Sequence, residues 1–260
     1  MKRAILIGIG SLFALVSPVT ANDHNNLDSD RPLSFEDAES IGFGEQSLEF
    51  GASAVFLENR SVGGEFSFEY LNGVILNGHM IIGIEPSVGG RVDSEDTDFD
   101  IGNLSIGFFY NFNREYDEVP AFALRADAGL TTGNDASGVD FRLRGIASKT
   151  VGQYDRLHLN LDLEVKTDPD SEDRSVIPGL ILGYSTPLGY PKRFDRTFLA
   201  ELGVLASENV NGGVVIRTGV GLRQQVGLQN VLDIGIEGDI ATGSEGNSQL
   251  KLTIGYSFGF

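Results

Sequence analysis

Charged residues recur at a spacing of two through the middle and the end of this chain. Arg125 and Asp127 share one run, Asp140, Arg142 and Arg144 the next, and His158, Asp162 and Glu164 a third. Later, Arg217 and Arg223 occupy one run and Asp233, Glu237 and Asp239 the run after it. Residues two apart on a strand point to the same face. Consecutive runs that pair would therefore set guanidinium groups opposite carboxylates. Such rows can fill an interior as an ion-pair network. Facing a lumen, they set a transverse field that biases which ions pass.

Catalytic chemistry has weaker footing. A serine nucleophile needs a histidine base held by a third group. The histidines are His24, His79 and His158, and no sequence context marks a serine beside any of them. Asp93–Asp100 looks like a calcium loop but lacks its glycine and its terminal glutamate. Val88-Gly89-Gly90 has no phosphate-loop lysine after it. The chain has no cysteine, so thiolate metal sites and disulfides are excluded. We expect no catalytic residue, no metal site and no cofactor.

The elements that must carry the charged rows are strands. From Ser47 to the end, apolar residues alternate with small or polar ones. Strand one carries Leu48, Phe50, Ala52, Ala54 and Phe56 on one face. Strand two carries Phe66, Phe68 and Tyr70, and Asn72-Gly73 after it reads as a hairpin turn. Strand three runs from Val74 to about Ile84, and strand four carries Leu104 to Tyr110. Strands five, six and seven hold the first charged group, with Phe122 to Leu130, Val139 to Ala147 and Leu157 to Val165 on their other faces. Strand eight spans Val176 to Tyr184, where Pro178 asks for a bulge or a late start. Strand nine carries Phe198 to Val204. Strands ten and eleven hold the second charged group, opposite Val214 to Leu222 and Leu232 to Ile240. Strand twelve is Leu252 to Phe260, ending on an aromatic.

Alternation alone does not say which face points outward. A lipocalin-like barrel or a soluble sandwich would put the apolar face inside. The dense charge on the polar face, the terminal aromatic and the N-terminus favour the inverse. Residues 1–21 read as a signal peptide: Lys2 and Arg3, an apolar run from Ala4 to Val16, then Val19-Thr20-Ala21 for cleavage. No later apolar run is long enough for a transmembrane helix. A membrane span must then be a closed barrel, because only helices and barrels satisfy their backbone groups in lipid. The expected fold is all-β, a transmembrane antiparallel barrel of about twelve strands over residues 46–260, with both termini periplasmic. Residues 22–45 are a polar periplasmic lead-in that can tuck into the barrel mouth.

The formal net charge is −18. That excludes nucleic acid as a partner, which needs a basic surface. Acids cluster in the expected outer loops, among them Asp93, Glu95, Asp96 and Asp98, then Asp168, Asp170, Glu172 and Asp173. Through divalent cations these could touch lipopolysaccharide; as plain surface charge they solvate the loops. Inward glycines at 129, 219, 221, 235 and 255 leave room in the lumen.

Residues 119–165 resemble a known group. Val119-Pro120-Ala121-Phe122-Ala123-Leu124-Arg125 is similar to a recurrent strand start of that group, and Gly129-Leu130-Thr131-Thr132-Gly133 to a strand end, with Thr131 where proline is frequent. Gly138 to Leu143, Ser148-Lys149-Thr150 and Leu157 to Asn160 follow in order, and Asp30-Arg31-Pro32 is similar to its lead-in. The group is the outer-membrane barrel family named for the meta-pathway of phenol degradation, described as transporters. The resemblance spans about residues 29–260. It implies an outer-membrane barrel and passive transport, carries no catalytic residues, and does not establish phenol as a substrate.

The expected function is passive passage of a small solute across the cell outer membrane, through a lumen lined by the charged residues named above. Outer-membrane lipid, lipopolysaccharide and the barrel-assembly machinery are the expected partners. Tyr256, Phe258 and Phe260 resemble the terminal signal which that machinery reads. A closed barrel acting through its acidic loops is the alternative, and an outer-membrane enzyme is third.

Overall fold

The computed structural model describes residues 27, 31–58, 61–89, 99–132, 138–189 and 194–260. The expected signal peptide, His24, and the loop acids Asp93, Glu95, Asp96 and Asp98 lie outside the described residues.

The regular elements among the described residues are all strands. They are β1 (Gln46–Leu57), β2 (Val62–Ile75), β3 (Gly78–Ile84), β4 (Ser87–Gly89), β5 (Phe99–Asp100), β6 (Asn103–Asn113) and β7 (Ala121–Thr131). Then follow β8 (Val139–Val151), β9 (Asp155–Lys166), β10 (Val176–Pro187), β11 (Arg196–Ala206), β12 (Val214–Gln225), β13 (Asn230–Ala241) and β14 (Gln249–Gly259). All pairings are antiparallel between neighbours in the chain, and β1 pairs with both β2 and β14, closing the sheet. The fourteen elements make twelve staves. β3 and β4 are one stave broken at Glu85-Pro86, where proline lacks the N–H a ladder needs. The Phe66 N–H of β2 still donates to the Pro86 carbonyl at 2.8 Å, so the edge stays paired across the break. β5 and β6 are likewise one stave, interrupted at Ile101-Gly102, where Gly102 takes a φ of 72°.

The alternation resolves as the inverse of a soluble barrel. On β9, Leu157, Leu159, Leu161 and Leu163 are exposed on the outside, while His158 and Asn160 between them are fully buried inside. The same holds on β14, where Leu252, Ile254, Tyr256 and Phe258 are outward and Thr253 and Ser257 inward. Water would penalise so large an apolar exterior, whereas hydrocarbon accepts it. No helix among the described residues is long and apolar enough to cross a membrane.

Two local expectations are corrected. The hairpin between β2 and β3 does not turn at Asn72-Gly73. β2 continues through a bulge between Asn72 and Ile75, and the turn falls on Leu76-Asn77, with Ile75 opposite Gly78. Asn77 adopts a φ of 61°, a conformation asparagine tolerates better than most residues. Strand three therefore starts at Gly78 rather than Val74, and Leu76 sits in the turn. Gly73 serves another contact. Its N–H donates to the Glu45 carbonyl at 2.9 Å and its carbonyl accepts from Gly44 at 2.7 Å. A side chain there would overlap the Gly42 carbonyl. The second correction concerns Pro178, which needs neither a bulge nor a late start. It pairs with Leu163 in unbroken register inside β10.

The connection over residues 114–120 is long but ordered. Tyr116 and Val119 exchange backbone hydrogen bonds. The Glu115 carboxylate accepts from Lys149 Nζ at 2.7 Å and from the Thr150 N–H and hydroxyl.

Candidate functional site

Where β1 begins and β14 ends is the terminal end of the barrel; the opposite rim is the loop end. The terminal half of the interior is occupied by residues 31–41, which run from the β1 entry across the lumen. Residues 31–38 are all buried. The segment forms no strand. Inward side chains of the barrel satisfy its backbone instead. The Asn160 side chain of β9 accepts from the Glu36 N–H at 2.8 Å through Oδ1, and its Nδ2 returns a bond to the Glu36 carbonyl at 2.9 Å. Ser148 of β8 accepts from the Ala38 N–H at 2.9 Å, and Asn111 of β6 donates to the Ala38 carbonyl. Glu201 of β11 accepts from both the N–H and the hydroxyl of Ser34, at 3.0 and 2.9 Å. Buried backbone groups need such partners when no ladder supplies them.

Apolar contacts complete the seat. Leu33 and Phe35 cluster with Leu27, Ile181 and Leu199, while Ala38 and Ile41 pack with Leu71, Ile81, Phe109 and Ile146. The inward glycines are part of this seat rather than open space. Leu33 lies against Gly219, Pro32 against Gly221 and Gly235, and Arg31 against Gly255. A side chain on Gly183 would overlap the Phe35 ring. Gly129, of the expected set, stays at the edge of a separate small cavity.

The charged rows face the interior and pair across strands. On β7, Arg125 Nε contacts both oxygens of Asp127 at 3.0 and 2.9 Å, and its other nitrogens reach Glu36 at 3.4 Å and Glu69 at 3.3 Å. On β8, Arg144 grips Asp162 of β9 with two bonds, 2.6 and 2.8 Å, while Arg142 stands 3.9 Å from the same carboxylate. Asp140 and Glu164 line the cavity beside Gly129. Arg223 of β12 holds Asp233 of β13 at 2.7 and 2.9 Å, both groups buried. Arg217 holds Asp239 at 2.8 Å by two bonds and reaches Glu237 at 3.4 Å. His158 is placed differently from the arginines. It sits between Ser148 at 2.9 Å and Ser185 at 3.0 Å, beneath the Phe35 ring at 5.2 Å, and is fully buried. His79 is also buried and stacks on Phe109 with centroids 4.8 Å apart.

The lead-in adds charges that residue spacing did not mark as part of the site. Arg31 pairs with Glu49 of β1 and reaches Glu69 of β2 and Ser257 of β14. Asp37 and Glu39 face Arg156 of β9 at 3.5 and 2.7 Å. Glu49, Glu69 and Glu201 escaped the reading of charged rows, although each stands between outward apolar neighbours on its strand, a signal that marks it as inward. Residues 31–41 have no period, so nothing in the sequence aligned them with those acids.

Among the described residues, the loop half holds cavities. A chamber of about 410 Å³ is lined by residues of β1, β2, β8 and β14, among them Ser53, Ser67, Glu65, Arg142, Lys251 and Thr253. A recess of about 230 Å³ shares Arg142 with it and extends to β10, β11 and β12. A third space, of about 170 Å³, has Pro32, Leu33 and Ser34 of the lead-in as its floor. Among the described residues, no cluster of three histidines or carboxylates is arranged to hold a metal ion.

No protein-family model matches the sequence, and no curated protein matches it at a significant level. Solved structures do. An outer membrane channel from Pseudomonas putida F1 superposes with a TM-score of 0.67 at 12% identity, over 88% of this chain and 100% of that one. The NanC porin superposes at 0.58 and 11% identity, over 81% of this chain and 98% of that one. The β domain of the Bordetella autotransporter BrkA superposes at 0.54 and 11% identity, over 84% of this chain and all of that one. At such identities the likeness shows a shared fold, the outer-membrane antiparallel barrel.

Proposed function

We propose that this chain is an outer-membrane channel for passive passage of a small solute. The observation that carries the reading is an apolar exterior around an interior of paired charges that still encloses a chamber of about 410 Å³. A barrel whose only role was structural would gain by filling that half too. The solute enters at the loop end, crosses the chamber past Arg142, and leaves beside the lead-in. Two of the similar structures are a channel and a porin, and the family resemblance over residues 29–260 points the same way. In this reading residues 1–21 direct export, both termini are periplasmic, and the assembly machinery reads Tyr256, Phe258 and Phe260. The carboxylates at Asp168, Asp170, Glu172 and Asp173 meet lipopolysaccharide through divalent cations.

Catalysis fits the site less well. His158 and its two serines are all buried, Phe35 covers the ring, and both ring nitrogens go to serine hydroxyls rather than to an orienting carboxylate among the described residues. The packed terminal half favours a second reading, a barrel closed by its lead-in. Reversal potential under a salt gradient separates the two. In a channel, Arg142→Ala shifts selectivity toward cations and Asp162→Ala shifts it toward anions. In a closed barrel neither conducts, and Asp162→Ala, which strands Arg144, lowers stability alone.

A further inference from the structure

The recess beside Arg142 has walls of two kinds. On one side stand Arg142, Asp162 and Glu164, with Arg144 behind Asp162; on the other, Ile177 and Ile181 of β10 and Leu205 of β11; and Arg217 of β12 closes it. Other inward apolar residues, such as Leu71, Ile81, Phe109 and Leu199, pack in clusters with the lead-in. Along the pairing registers Ile177 lies in one row with Glu164, Arg142 and Asp127, and Ile181 in one row with Gly203, Arg217 and Asp239. Apolar surface facing a wet lumen is unfavourable unless an apolar group covers it. Ile181 is covered by the lead-in cluster, but Ile177 and Leu205 stay half-buried at the edge of the recess.

The charged wall has a sign. Arg144 occupies both oxygens of Asp162. Asp239, the bidentate partner of Arg217, and Glu237 lie deeper in the wall than the arginine: their side chains are 5% and 9% exposed against 20% for Arg217. Arg142 is 27% exposed against 11% for Asp162. The Arg142 and Arg217 guanidinium groups thus reach the water ahead of Asp162, Asp239 and Glu237, while Arg144, 1% exposed, lies behind Asp162. Glu164 is the remaining acid of this wall; Glu65 and Glu85 belong to the opposite side of the chamber.

We infer that this recess is a solute-binding site for an organic carboxylate with a compact apolar body. The carboxylate is taken by Arg142 with Arg217, and the apolar body lies on Ile177 and Leu205. A planar guanidinium matches a carboxylate in two-bond geometry, and apolar burial adds affinity that a small anion lacks. The inference rests on the channel reading for its biological sense, but binding can be measured without conduction.

The test uses the refolded chain with cyclohexanecarboxylate, acetate and cyclohexylmethylammonium as probes. Block of ion current is read in planar bilayers, and heat of binding in detergent. Cyclohexanecarboxylate is expected to half-block at a concentration about tenfold below acetate, the equivalent of burying a few methylenes. The ammonium probe is expected to block more weakly than the carboxylate. Arg142→Gln should weaken both carboxylates by a similar factor. Leu205→Ser, or Ile177→Thr if the first fails to insert, should remove the preference for cyclohexanecarboxylate over acetate. Equal block by the two carboxylates, or equal block by the ammonium probe, overturns the site. Binding heat that follows the same order without any current keeps the site and rejects the channel. Current without selective binding does the reverse.

Discussion

At the residue scale the interior is held by paired charges, and their value lies in being complete. Arg223 and Asp233 are both buried and doubly bonded. Removing one partner of such a pair leaves a buried charge without compensation. Arg223→Ala should therefore lower stability by about 3 kcal/mol in urea titration of the refolded barrel. Arg223→Met combined with Asp233→Leu should cost less, because no charge is stranded. Glu36 behaves differently. Burial pushes its carboxyl up to about 7, against the pull of Arg125 and Arg144. A carboxyl raised in the docked state favours docking while protonated. Docking of the lead-in is thus strongest below its ordinary value of 4.5, weakens as pH rises from there to about 7, and is constant above. Hydrogen-exchange protection over residues 33–41, corrected for the intrinsic base-catalysed rate, should fall across that window and stay level beyond it. Glu36→Gln should abolish the dependence. These charges were legible as alternating rows from Arg125 to Asp239. Their partners on the lead-in were not, because a segment without a period gives no face to assign.

At the element scale the twelve staves follow from period-two patterning, and the misplacements have local causes. Asn72-Gly73 has the composition of a tight turn. The glycine is there because the lead-in turn at residues 42–45 presses against β2. Composition marks a place where backbone comes close; it does not say which backbone. Pro178 stays in register because its partner strand continues past it on the same ladder. The inward glycines taught the same lesson. Five of them read as empty volume, yet Arg31, Pro32 and Leu33 fill the space at Gly219, Gly221, Gly235 and Gly255, and Gly129 alone borders a cavity. Gly183→Val should expel Phe35 and loosen the lead-in while the outer face of β10 is unchanged. Faster exchange at residues 33–38, with the heat-modifiable mobility of the folded barrel retained, would be the signature. Unchanged exchange would show that the segment is not seated where Gly183 lies.

At the scale of the molecule two halves do different work. The terminal half is packed by residues 31–41 and buried ion pairs; the loop half keeps a chamber of about 410 Å³. A twelve-stranded barrel lies between the small ones that side chains fill and the large ones that leave a wide channel. Here the chain's own lead-in takes up the difference at one end. The barrel and its sidedness were readable in advance from alternation and the terminal aromatic. The division of the lumen was not, since it depends on where eleven aperiodic residues dock. The most direct measurement is single-channel conductance of the refolded chain beside a form lacking residues 31–41. The account predicts small discrete steps for the intact chain and steps several times larger for the shortened one, both with a reversal potential that Arg142→Ala displaces. Stable insertion with no current from either form would contradict it.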